Sequence, residues 1–141
     1  MIEFAIASAV LLPVMLGTFR FGYSFYTYNL LESAVSNGAR YGSTRVYRSA
    51  SSASVTKVKT AIQNMVVYGS PSGGTIPVAR GMTTSNVVVT YTLDSNQVPK
   101  SVKVAVSNFT LDAVVSAFTL TNKPVVTYPF VGRYAPNESE P

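Results

Sequence analysis

The acidic side chains of this 141-residue chain are Glu3, Glu32, Asp94, Asp112, Glu138 and Glu140. Acid–base chemistry needs carboxylates brought together, or a histidine poised near neutral pH. These six are scattered, two of them lie in the last four residues, and the chain has no His, Cys or Trp. The missing histidine removes the commonest general base and transition-metal ligand. The missing cysteine removes thiol nucleophiles, disulfides, iron–sulfur clusters and thiolate metal sites. The composition therefore predicts a non-enzyme with no catalytic residues, no metal site, no cofactor and no small-molecule substrate. The basic residues number 11 against those six acids, a net charge of +5. The nearest thing to a cluster is Arg40, Arg45 and Arg48, spread over nine residues. Solubility and loose attraction to anionic surfaces account for that excess, and no nucleic-acid partner is expected.

The charges that carry information are the two that bracket an apolar run. Between Glu3 and Arg20 lie 16 uncharged residues, Phe4 to Phe19. A membrane-spanning helix needs about 20 mostly apolar residues, and with its flanks this stretch reaches the low end of the range. A removable signal peptide fits poorly, because the start carries an acid rather than a base and bulky residues follow the run. Glu3 is costly in lipid or a dry core unless something compensates it. Two compensations stand side by side: an aqueous headgroup or helix N-terminus, and an ion pair in an assembly, the nearest cation being the α-amino group at Met1 of a neighbouring copy.

Beyond Arg20 the apolar residues Phe21, Phe25, Tyr28, Leu31, Val35 and Ala39 continue at spacings of three and four. That spacing predicts a helix running on to about Tyr47, apolar all round in its first third and amphipathic afterwards. Pro13 predicts a kink or a locally melted stretch, with Gly17 a further weak point. Phe4, Val10, Leu12, Leu16, Phe19, Phe21 and Phe25 are the candidate helix–helix packing residues. Gly38 and Gly42, small residues four apart, suit close helix approach or simply a helix end. Seven aromatics between Phe19 and Tyr41 suit either a membrane-interface belt or packing between subunits.

Ser49 to Ser54 reads as a polar linker, with Ser52 or Ser54 capping a second helix whose apolar face is Val55, Val58, Ile62, Met65 and Val66. Gly69 and Pro71 end it. The period then changes to two. Asn86 to Leu93, Val102 to Val106 and Val125 to Tyr128 are rich in β-branched and aromatic residues and read as strands. Asp94 to Pro99 joins the first two, and Leu111 to Phe118 reads as a short helix or looped crossover. The predicted architecture is α+β. Residues 1–48 form the hydrophobic-then-amphipathic helix, 49–134 a head with a second helix and a three- to four-stranded antiparallel sheet, and 135–141 a flexible tail. Ser and Thr total 31. Asn108 and Asn137 each open an Asn-x-Ser/Thr pattern, a candidate modification site.

A long helix with a small head is the lollipop of type IV pilins. Ile2-Glu3-Phe4-Ala5, Leu12-Pro13, Phe21-Gly22 and Gly38-Ala39-Arg40-Tyr41, in that order and spacing, resemble the opening of the TadE-like family of the tight-adherence branch. The resemblance implies a short basic leader removed by a prepilin peptidase. It also implies a wait in the cytoplasmic membrane, then transfer by the assembly machinery into a filament of identical subunits at the cell surface. Glu3 matches the glutamate that stands fifth in most mature pilins. Arg20 stands where many relatives carry an acid, and in a bundle it would meet Glu3 of another copy or face the headgroups. The expected function is a structural pilin subunit polymerising through its N-terminal helix. The alternatives are a membrane-anchored minor pseudopilin that primes assembly and a membrane-tethered surface-binding module.

Overall fold

A computed structural model describes residues 2–112 and 117–136. Met1, Val114, Val115, Asn137 and the rest of the predicted tail beyond Pro136 lie outside the described residues. Helix α1 runs from Ile2 to Ser43, 42 residues, or about 63 Å at 1.5 Å per residue. It is continuous across Pro13, Gly17 and Gly22, so the locally melted alternative at Pro13 does not occur. The helix ends four residues before the expected Tyr47. The Ser43 hydroxyl donates back to the Arg40 carbonyl at 2.8 Å and the Thr44 hydroxyl to that of Tyr41 at 3.0 Å. These bonds offer the last carbonyls a partner other than the next helical turn.

Helix α2 spans Ser52–Tyr68. Its cap is Ser51, one residue ahead of the expected serines, accepting from the Ser54 amide at 3.2 Å. Gly69 closes it in the left-handed conformation, φ 70°, with its N–H on the Met65 carbonyl, a backbone shape that a side chain disfavours. α2 buries Ile62, Val66 and Val67. Val67 lies beside the predicted stripe, while Val55 and Met65 are only half-buried.

Strands β1 (Val87–Leu93) and β2 (Pro99–Val106) form an antiparallel hairpin with Val89 opposite Val104. The turn between them closes with the Asp94 amide donating to the Val98 carbonyl at 2.7 Å. A second hairpin follows where a helix or crossover was expected: β3 (Phe109–Asp112) pairs with β4 (Ala117–Leu120), Leu111 opposite Phe118. Leu111 and Phe118 are seven apart, which suits both two helical turns and a hairpin. The alternation of apolar residues and threonine in Phe109-Thr110-Leu111 and Phe118-Thr119-Leu120 favours the strands. Strand β5 (Val125–Pro129) then returns to the far edge of β2. The result is a three-stranded antiparallel sheet in the order β1-β2-β5 and a separate two-stranded ribbon.

The core lies between the sheet, α2 and the second half of α1. Leu31, Val35 and Ala39 of α1 meet Ile62 and Val66 of α2 and the inward residues Val102, Val104 and Val106 of β2, all fully buried. Ala79 and Met82, in the loop after α2, close one end. The segment after β5 is laced to the end of α1: the Val131 amide donates to the Ser43 carbonyl, and Tyr47 exchanges backbone bonds with Arg133 and Ala135. Ala135 is buried, so the head reaches into the stretch expected to be tail.

Candidate functional site

Among the described residues nothing covers the first half of α1, which projects from the head. Phe4 is 79% exposed, and Val10, Leu12, Leu16, Phe19, Phe21 and Phe25 are all open. The stripe predicted from Phe21 to Ala39 therefore divides. Phe21 and Phe25 stay exposed at the edge of the head, Tyr28 is half-buried, and burial begins in earnest at Thr27 and Leu31. One 18-residue window of α1 is apolar enough to cross a membrane, and none of it is buried. The helix also satisfies hydroxyls internally along this projecting half. Thr18 donates to the Val14 carbonyl at 3.0 Å, Ser24 to that of Arg20 at 3.0 Å and Thr27 to that of Tyr23 at 2.9 Å. Pro13 has no N–H, so the Ala9 carbonyl lacks its usual helical donor.

Glu3 and Arg20 are both exposed. They stand 17 residues apart, about 26 Å along the axis, too far for an ion pair within one chain. Arg20 is therefore no partner for Glu3 of its own chain. Met1, the expected source of an α-amino partner, lies outside the described residues.

Gly38 and Gly42 have a different place from the other packing candidates. Both are buried. A Cβ on Gly38 would run into Val66 Cγ2, and one on Gly42 would lie 2.5 Å from Ile62 Cδ1 and 3.3 Å from Val102 Cγ1. The small residues let α1 and α2 of the same chain approach closely, so they are not available to a neighbouring copy. The opening of the head, where α1 enters, was not legible as a site: the loop 76–80 and the β3–β4 ribbon stand beside the helix there.

Among its described residues the head carries no arrangement suited to proton transfer. Tyr47 and Tyr91 stack with ring centroids 4.8 Å apart, and the Tyr91 hydroxyl donates to the Gly42 carbonyl at 3.4 Å. Burial, and then Tyr47, push the Tyr91 phenol well above its ordinary range, which keeps it neutral. The Asp94 carboxyl is held below its usual range, first by the Ser95 hydroxyl and then by the Asn96 amide; it shapes the hairpin turn. Among the described residues no three His, Cys, Asp or Glu side chains gather to hold a metal. Asn108 is exposed at the tight turn into β3, φ 57°, with its carbonyl accepting from Asn86 Nδ2 at 2.9 Å.

No curated protein and no solved structure matches the chain. Residues 1–40 match the model of one family, described as TadE-like protein. The matched segment takes in the whole projecting half of α1 and stops just before its end in the head. This opening is similar to the TadE-like family, as its motifs indicated, and with the exposed apolar helix it fits a pilin-like component of a Tad pilus.

Proposed function

We propose that this chain is a structural pilin subunit that polymerises through the first half of α1 into a filament at the cell surface. The observation that carries the reading is the division of α1: a head with its own buried core holds one half, and an apolar rod of about 20 residues is left without cover. Such a rod has two shelters, lipid or other copies of itself, and both leave its backbone hydrogen bonds internal. Transfer from membrane to filament changes the neighbour and keeps the burial, which stabilises by about 25 cal/mol per Å² of apolar surface. Glu3 acts as the register device. Unpaired in an apolar bundle it is costly, and paired with a cation of an adjacent copy it is tolerated. The partners in this reading are the chain itself, the membrane before assembly, a prepilin peptidase and the assembly machinery.

Electron microscopy of sheared surface material, with peptide identification of the subunit, tests the proposal. A bulk subunit is abundant in the sheared fraction. A chain that stays with the membrane is instead an assembly factor. Glu3→Ala is expected to lower filament yield while leaving the chain in the membrane; normal yield from that variant removes the register role.

A further inference from the structure

Two segments of the head stand beside α1 where it leaves the core. On one side the β3–β4 ribbon brings Leu111 and Phe118 into a cleft with Phe21, Phe25 and Tyr28. On the other, the loop 76–80 brings Ile76 and Arg80 into a cleft with Tyr23, Tyr26 and Leu30. At about 100° per residue, positions 21, 25 and 28 lie on the opposite side of the helix from 23, 26 and 30. The two segments straddle the helix. Both carry an open apolar side chain: Ile76 is 83% exposed and Phe118 54%. Neither of these two side chains belongs to the core cluster, and with the exposed rings of α1 beside them they extend one apolar patch around the helix, the kind of surface that marks a membrane or partner contact.

Their height on the helix says what those surroundings are. The uncharged stretch from Phe4 to Phe19 is about 24 Å long, and the hydrocarbon core of a bilayer is about 30 Å thick. With that stretch in lipid, Arg20 and the rings from Phe21 to Tyr26 reach the headgroup level, where aromatic side chains partition well. Ile76 and Phe118 are level with those rings. Arg80, exposed beside Ile76, and Arg20 put cations where lipid phosphates lie. We propose that the head rests on the bilayer through the Phe118 ribbon and the Ile76 loop, two lipid contacts flanking the spanning helix. The partner is a lipid interface, and the proposal rests on the helix spanning lipid, not on polymerisation.

The chain has no Trp, so single-tryptophan variants report position directly. The full chain is placed in vesicles of phosphatidylcholine with a minor share of phosphatidylglycerol, the lipids brominated at shallow acyl positions. The reporters are Phe118→Trp and Ile76→Trp. The control is Val131→Trp, equally apolar and 71% exposed, but bonded to the far end of α1 through Ser43. A Leu12→Trp variant, read in matching vesicles whose lipids are brominated deep in the acyl chains, checks the span itself. Blue-shifted emission and about three times more bromine quenching at 118 and 76 than at 131 are expected. Quenching at 118 and 76 no greater than at 131, with Leu12→Trp strongly quenched, overturns the proposal and leaves the span standing. An unquenched Leu12→Trp overturns both. Shielding that rises with protein-to-lipid ratio without bromine quenching assigns the surface to a second copy and also overturns the lipid reading. Filament yield enters none of these readouts, so failure of the polymer reading shows separately.

Discussion

The two halves of α1 share a helix and an apolar spacing of three and four, yet they meet different surroundings. From Leu31 to Ala39 the stripe is sealed under α2 and the sheet, with Leu31 at 0% exposure; from Phe4 to Phe25 it is bare. The difference lies in what surrounds the stripe in sequence. The buried half keeps polar residues off its apolar face (Asn29, Glu32, Ser33 and Asn37) and places Gly38 and Gly42 where α2 must come close. The bare half is apolar on every side up to Arg20, which no single head can cover. One half is therefore a core element and the other an attachment element, and substitutions should separate them.

The largest effect is expected from Leu31→Ala. Its side chain is fully buried, so the head should lose about 2–5 kcal/mol through lost transfer energy and a residual cavity. Leu16→Ala, in the bare half, should leave the head's denaturation midpoint unchanged and act on filament yield instead. Urea titration of both variants in detergent measures the contrast, and equal loss at the two sites would break the distinction. Gly38→Ala comes next. Its new methyl meets Val66, with backbone of Ile62 close behind, so α1 and α2 must separate at a cost of about 1–3 kcal/mol. Val66→Ala in the same chain should recover part of the loss if the clash is the cause.

Much of this division was legible in the sequence because period and charge carry it. The change from a period near 3.6 to a period of two placed the helices and the three sheet strands. The uncharged run from Phe4 to Phe19 marked the rod, and four short motifs gave its resemblance. What escaped were features decided by tertiary partners. Phe21 and Phe25 continue the stripe of Leu31 and Val35 without a break, and the sequence does not say where the head stops. Leu111 and Phe118 fit a helix or a hairpin, and only their pairing within the ribbon decides it. Gly38 and Gly42 signalled a close approach but not that α2 of the same chain makes it. Ala79 and Met82 sit in a loop with no periodicity, so nothing local marks them as core.

Alkali offers a way to address the buried half alone. The Tyr91 phenol titrates above its ordinary range when folded, because burial and then Tyr47 disfavour the phenolate. A group whose folded pKa is raised contributes its full stability below its unfolded pKa, about 10 for tyrosine, and loses it as pH rises through the folded value. Head stability should hold to about pH 9.5 and fall above it. Tyr91→Phe should flatten that fall, leaving the weaker contribution of Tyr47, whose phenol is also raised by burial. Unfolding midpoints at neutral and alkaline pH measure it; an unchanged alkaline slope in Tyr91→Phe would assign the sensitivity elsewhere.

The smallest effect concerns a polar atom in the sealed region. Ser54, in the first turn of α2, is buried, and its hydroxyl oxygen has no hydrogen-bond partner. A buried hydroxyl without a partner keeps its desolvation cost, and alanine is the better helix former. The backbone amide of residue 54, which donates to the Ser51 cap, is untouched by the change. Ser54→Ala is therefore expected to raise head stability by about 0.5–1 kcal/mol. A matching Ser52→Ala on the exposed side of the same turn should change it by only the few tenths that propensity gives. Chemical denaturation of the two variants separates burial from propensity, since equal gains would leave the missing partner no role.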